Sequence, residues 1–526
     1  MKRFFLFAVI LAVTSWADAQ GMLDAEQLRK LIIAEQAIKA LYIDSLEDKN
    51  LVESAVKGMV QALDPHSAYT PAKDVKSFTE PLQGEFEGIG IQYNIVDDTL
   101  VVVQTVTGGP SEKVGIMAGD RIVSANDTIM AGVQMSKERS MSLLRGKRGT
   151  KVKLGVMRQG VSGINYFTVV RDKIPLYTID AKYMISPTIG YIRIGSFGAT
   201  THKEFVEALE TLRSSGMKDL IIDLEGNGGG YLSAAVDISN ELLEEGDMIV
   251  YTEGRAVPRV EYHAKGNGKM RDGKIVILID SYSASASEIL SGAIQDNDRG
   301  VVIGRRSFAK GLVQRQIDLP DGAMLRITSA HYYTPSGRCI QKPYKKGERK
   351  DYDKDIESRL KSGELMHEDS IHFADSLKYT TLKQHRTVYG GGGIMPDVYV
   401  PLDTSRVTRV YRELIAKSCV INTAIRYVDK YRKQLQKQYP DFATYETDFN
   451  VPQKMDDMLR EAADKSNVKY TEDQFHECLP LIHSHFKAII ARDLWTISEY
   501  YKIINEENDI YKKGCDYFED PNMKTE

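Results

Sequence analysis

Between residues 24 and 63 apolar positions recur at helical spacing: Leu28, Ile32, Ile38 and Leu41, then Leu51, Ala55, Met59 and Leu63. That period predicts amphipathic helices. The stretch "LDPHSAYTP" (63–71) ends them with turn chemistry. From Gly84 the texture shortens. "GIGIQYNI", "TLVVVQTV" and "TKVKLGVMR" predict strands, with glycine turns in "GGPSEKVGIMAGDRIVSAND" and a helix near 136–145. Five or so strands and two helices over 84–172 predict a small, partly open barrel.

From about residue 175 strands and helices alternate. "TIGYIRIGSF" predicts a strand, 201–213 a helix, and "KDLIIDLEGNGGG" a buried strand ending in glycines. "YLSAAVDISNELLE" predicts a helix, "KIVILID" a second buried strand, "SASASEILSGAIQD" a helix and "GVVIG" a strand. Continuous apolar strands separated by helices argue an α/β layer architecture. The core is expected over 175–400, with the polar stretch 341–388 as a surface insertion. Beyond Pro401 the chain is expected to be helical and tyrosine-rich to residue 526.

A chain of 526 residues is too long for one core, and the fold class is multidomain α/β. Lys+Arg 69 against Asp+Glu 73 gives a net charge of −4, so no basic footprint for nucleic acid exists. The N-terminus adds more. Lys2 and Arg3 precede an apolar run from Phe4 to Val13, and Ala17-Asp18-Ala19 follows. This predicts a secretory signal peptide over 1–19, cleaved before Gln20, with an N-terminal helical region at 20–80. The apolar run is about half of the ~20 residues that a membrane span needs, and no later stretch is apolar enough to cross a bilayer. The expected location is the periplasm or the extracellular space. Cys339, Cys419, Cys478 and Cys515 are too few and too scattered for a disulfide framework.

Serine stands at every second position from Ser281 to Ser287. Ser285-Ala-Ser-Glu288 is a capping box, and a cap serine alone explains it. A nucleophilic serine needs a base. His263 and His331 lie in the α/β region outside any triad context, and Gly-x-Ser-x-Gly is absent. "HEDSIH" (367–372) separates its histidines by five, off the i, i+4 face of a metal site, so metal chemistry gains no support; no organic cofactor is implied either. Lys310, in "GRRSFAKGLVQRQIDL", is the better base. As the opening of a strand it would share a face with Gln314, whose amide would orient the amine. A lysine aimed into a dry cleft gives up its charge and accepts a hydroxyl proton; a surface lysine in a turn is the competing reading. In "DLEGNGGG" three consecutive glycines precede a helix, and their N–H groups suit an anion; a plain tight turn is the alternative.

Together these stretches resemble the carboxyl-terminal processing proteases, also called tail-specific proteases. The resemblance runs over roughly residues 25–400 through "LDPHSAYT", "GIGIQY…GGPSEKVGIMAGDRIVSAND", "DLEGNGGG", "SASASEI…GAIQD", "FAKGLVQ", "HYYTPSGRCIQ" and "GGGIMPDV". It implies a crotonase-like α/β core with an inserted PDZ domain and a Ser–Lys dyad. Ser285 would be the nucleophile, Lys310 the general base and Gln314 its orienting partner, with Gly229 and the backbone of Ala286 as the oxyanion hole. In the PDZ-like segment the N–H groups around Gly88, Ile89, Gly90 and Ile91 would cradle a terminal carboxylate, and the strand edge would pair with the tail; a structural turn in a small barrel is the competing reading of the glycines. The partners implied are polypeptides with free C-termini; a homo-oligomer or regulatory partner is left open.

The chain departs from the family pattern at Glu225, where arginine is usual, at Gly228, where proline is usual, and at Ala309, where glycine is usual. Ala309 would cost about 1–2 kcal/mol if its φ is positive. A weakly active PDZ scaffold that binds tails without cutting them is the alternative function.

Overall fold

The structure, a computed structural model, describes residues 25–44 and 48–520. The signal peptide read at 1–19 lies outside the described residues. The chain forms two compact units: the described residues up to Val75 with 314–328 and 344–352, and Lys76–Val313 with 329–343 and the rest from Asp353.

In the smaller unit the helical periodicity becomes the helices Ala25–Leu41 and Asp48–Gln61. The "DPHS" turn is held by its own side chains. Asp64 accepts from the His66 and Ser67 N–H groups at 2.9 and 3.0 Å. The Thr328 hydroxyl reaches the same carboxylate at 2.8 Å. The strand Ala68–Thr70 then pairs antiparallel with Met324–Arg326.

The larger unit begins with the barrel. Ile91–Val96, Thr99–Thr105, Arg121–Ala125, Lys151–Met157 and Asn165–Val170 are neighbours in that order. The helices Pro110–Lys113 and Lys137–Leu144 accompany them, and Ile89, Val102, Ile122, Leu154 and Val169 fill the interior. A separate two-stranded ribbon pairs Glu85–Gly88 antiparallel with Asp172–Pro175.

Next comes a six-stranded sheet in the order Ile179–Met184, Ile189–Ile194, Asp219–Asp223, Ile275–Ile279, Val301–Gly304 and Val398–Tyr399. All are parallel except the first. Strands buried on both faces need unbroken apolar runs, and "IVILI" is fully buried. Three adjacent parallel strands deliver their following loops to one sheet edge: 224–231, 280–285 and 305–311. In such sheets the crevice beyond the carboxyl ends of the strands is where sites form.

Parts of the stretch read as a surface insertion are buried. Arg359, in the helix Asp355–Lys361, is 3% exposed and donates to the Ser307 carbonyl at 2.7 Å. Glu364 pairs with Arg306 at 2.6 Å. This stretch braces the third loop. The helices from Arg409 to Leu494 bury a core of their own, including Tyr445, Phe475 and Phe486. Asp509–Glu519 lies on the parallel sheet, so close that a Cβ on Gly514 would stand 2.9 Å from Leu278. Among the described residues no helix is long and apolar enough to cross a membrane.

Candidate active site

Three of the four alternating serines lie in the loop ahead of the helix Ala286–Asp296 and Ser287 lies in its first turn, and their surroundings differ. Ser281, Ser283 and Ser287 are buried; Ser285 is half-exposed. The Ser283 hydroxyl donates to the Leu224 carbonyl at 2.8 Å and the Ser287 hydroxyl to the Asn227 carbonyl at 2.9 Å. These two serines tie their loop to the glycine loop. Ser285 has φ +58°, a conformation that a non-glycine residue adopts only when its surroundings hold it there.

Glu288 does the holding. Fully buried in the first turn of the helix, its Oε2 accepts from the Ser285 N–H at 2.7 Å and from the Lys310 N–H at 2.9 Å. Its Oε1 accepts from the Ala309 N–H at 2.7 Å and the Ser307 hydroxyl at 2.5 Å. The serine and lysine loops therefore share one carboxyl oxygen, and the Ser285 and Lys310 backbone nitrogens lie within two hydrogen-bond lengths of each other. Burial pushes the Glu288 carboxyl up, against four hydrogen bonds that favour its ionised form. The capping box was legible in sequence; the reach to residues 307–310 was not.

The lysine loop differs from expectation in one respect. The strand begins at Leu312, so Lys310 sits in the preceding loop and strand parity does not relate it to Gln314. Ala309 has φ +74°, the conformation that makes glycine usual there, and two of the Glu288 bonds flank it. Gln314 belongs to the smaller unit, where its side-chain amide donates to the His66 carbonyl. Sequence reasoning missed a second lysine. Lys342 is 5% exposed, pairs with Asp355 at 3.0 Å and lies 4.1 Å from the centre of the Phe308 ring. Burial pushes its amine down.

The glycine loop packs on the serine. A Cβ at Gly229 would meet the Ala284 carbonyl at 2.7 Å, Ser285 Cβ at 2.8 Å and the Ala286 nitrogen at 2.9 Å, and its φ is +98°. Only glycine fits such an approach. The Gly229 N–H donates to Asn227 Oδ1 at 2.8 Å, while Asn227 Nδ2 donates to the Ile194 carbonyl at 2.7 Å. Asp280 joins the two loops through the Gly226 N–H at 3.0 Å and the Ser283 N–H at 3.0 Å. Thus Ser285, Ala286, Gly229 and the Lys310 backbone converge on one spot. Among the described residues no cluster of histidine, cysteine and carboxylate side chains is arranged to hold a metal.

At the barrel, Gly90 has φ +73° and Ile91 opens a strand paired on one side only. The carbonyls of Ile89 and Gly90 are turned inward, onto Ser111 and the Val106 N–H. Gly88 ends the first strand of the two-stranded ribbon.

Residues 188–353 match peptidase family S41 and residues 88–162 match the PDZ domain. Residues 12–74 match the activating protease CtpB N-terminal domain, and 410–496 a family of unknown function. The carboxy-terminal processing protease CtpA of Bacillus subtilis (strain 168) is 36% identical over 344 residues, covering 64% of this chain and 73% of the relative. The chain belongs to the carboxy-terminal processing proteases. The family's protease from Bartonella bacilliformis is 35% identical over 311 residues, covering 58% of this chain and 70% of its own. A solved photosystem II D1 C-terminal processing protease covers 70% of this chain and 92% of its own at 24% identity and a TM-score of 0.35. This member of the family is accordingly a protease with a PDZ domain and a multidomain α/β fold.

Proposed function

We propose that this protease is exported after removal of residues 1–19, binds the free C-terminus of a polypeptide at its PDZ domain, and cleaves a nearby peptide bond through Ser285 and Lys310. The observation that carries this reading is the difference among the serines: Ser285 alone of the four is half-exposed, and its backbone is pinned to that of Lys310 by Glu288. The neutral Lys310 amine takes the hydroxyl proton as Oγ attacks the carbonyl carbon. The tetrahedral oxyanion is held by the Ala286 and Gly229 N–H groups. Collapse breaks the C–N bond, and the Lys310 ammonium returns its proton to the leaving amine. Water, activated by the same amine, then hydrolyses the acyl ester. Gly229 can donate only after its N–H leaves Asn227, so substrate binding has to displace that bond. Gln314 remains the proposed orienting partner of the amine, and Gly88 to Ile91 the proposed carboxylate cradle.

The test is kcat/KM against pH on an unstructured polypeptide, with circular dichroism to confirm folding. Ser285→Ala abolishes turnover, while Ser283→Ala and Ser287→Ala keep it. An ordinary lysine, near 10.4, is a poor base at neutral pH, so the rate rises with pH. Lys310→Arg is inactive because guanidinium keeps its proton. Cleavage by folded Lys310→Arg overturns the dyad, and retained activity in Lys342→Met excludes the other lysine. Amidating the substrate's C-terminus raises KM with little change in kcat; equal cleavage of acid and amide overturns the tail-binding reading. The scaffold reading, which the Asn227–Gly229 bond favours, predicts binding without product in every variant.

A further inference from the structure

Glu225, the charge reversal, is the second residue of the glycine loop 224–231, and its N–H, its carbonyl and one carboxyl oxygen are engaged. Its N–H donates to Asp223 Oδ1 at 2.8 Å and its carbonyl accepts from Arg193 Nη2 at 2.6 Å. Its side-chain Oε1 accepts from Asn508 Nδ2 at 2.7 Å. Asn508 lies 283 positions away and caps the helix Asp509–Glu519, accepting from the Ile510 N–H at 2.9 Å. The backbone bonds are local to the sheet. Among the described residues, the side-chain bond is the hydrogen bond that connects this loop residue to the C-terminal helices.

We propose that Glu225 is a positioning residue through which the C-terminal helices set the glycine loop against Ser285. This rests on Ser285 and Gly229 acting as read above. The lever is short. Gly226, the next residue, hangs from Asp280, and Asp280 also holds Ser283. A shift at Glu225 therefore moves the loop that carries Gly229 relative to the serine.

The charges around the Glu225 carboxyl make the contact sensitive to pH. Arg193 faces it from the strand Ile189–Ile194, Asp223 from Asp219–Asp223, and Asp280 from the end of Ile275–Ile279. From the C-terminal side comes the uncharged Asn508; its neighbour Glu507 is turned to Arg406 at 2.5 Å and Ser484 at 2.6 Å. Burial first, and Asp223 next, raise the Glu225 carboxyl to about 8. Glu225 is thus mostly neutral at pH 7. Above about pH 8 it ionises beside Asp223 and Asp280; the Asn508 bond favours the charged form, and the repulsion from the two carboxylates displaces Glu225 and the loop it carries. The sign follows from the raised value: the stability contribution is complete below the ordinary glutamate range and is lost as pH rises through about 8.

The experiment is kcat/KM against pH for the full chain on a short peptide that does not engage the PDZ domain. Wild type is expected to show a rising limb and then a fall above about pH 8. Glu225→Gln keeps the acceptor for Asn508 but cannot ionise, so the fall disappears while the rising limb stays. Asn508→Leu removes the anchor and lowers kcat about ten-fold with KM little changed, less than the hundred-fold or more of a lost oxyanion donor. Asn508→Gln restores part of it. An unchanged alkaline fall in Glu225→Gln overturns the proposal, as does a wild-type rate in Asn508→Leu. Residual cleavage by Ser285→Ala would instead overturn the serine reading, so the two failures are distinct.

Discussion

One face of the parallel sheet is covered by the helices Thr201–Ser214, Leu232–Leu242 and Ala286–Asp296, which lie between its own strands in sequence. The other face is covered by helices from the end of the chain. The first interior is mostly aliphatic: Ile192, Leu220, Ile222, Ile277 and Leu290 pack with Phe205, and the buried polar side chains there, such as Ser239, Ser291 and Asp296, belong to the covering helices. The second gathers Tyr183, Tyr191, Tyr501, Tyr511 and Tyr517 around Ile221, Val276 and Leu278. At its centre is a charged network. Arg193 pairs with the fully buried Asp223, the Tyr191 hydroxyl bonds to Asp223 at 2.5 Å, and the Arg193 guanidinium lies 4.5 Å from the Tyr501 ring centre. An aliphatic interior gives stability without direction. A tyrosine-lined interior with a buried ion pair gives direction, because each hydroxyl and guanidinium has one geometry that satisfies it. The face built from the C-terminal region is the one that holds Glu225.

The comparison breaks most visibly at Glu288, a fully buried carboxyl on the mostly aliphatic side. Glu288→Ala strands four donors in a buried pocket, and a loss above about 4 kcal/mol is expected. Activity should vanish even in the folded fraction, since Ser285 and Lys310 lose their common anchor. Urea unfolding with a parallel assay checks both; an active, stable Glu288→Ala would mean the two loops are held by something else. A smaller effect separates the faces themselves. Arg193→Leu leaves Asp223 without its cation at a cost of about 3–5 kcal/mol, while Leu290→Ala opens a cavity costing about 2–5 kcal/mol. The distinction lies in rescue. The double variant Arg193→Leu with Asp223→Leu should recover part of the loss, because an apolar pair needs no ion partner. No second substitution that removes polarity rescues Leu290→Ala, and equal behaviour of the two sites in denaturant titrations would erase the contrast.

Much of the site was readable along the chain because its pieces are local. The alternating serines, the capping glutamate three residues on, and the run of glycines after a buried strand are all short-range patterns. A positive φ at Ala309 was raised as a condition, since glycine is usual there, and Ala309 adopts +74°. Lys310 was read as opening a strand, but the strand starts two residues later.

Local periodicity determined the helices and buried strands, and the order of motifs determined the protease family. Those depend on which side chains can cover a backbone of given pitch, a property that neighbours in sequence settle among themselves. Tertiary structure alone decided which serine stays half-exposed, that Glu288 reaches Ala309 and Lys310, that Asn227 holds the Gly229 N–H, and that Asn508 meets Glu225. Each of these is a bond between loops or elements whose hydrogen-bonding groups carry no periodic signature. Their partners are selected only when packing excludes water and an unsatisfied polar group becomes costly.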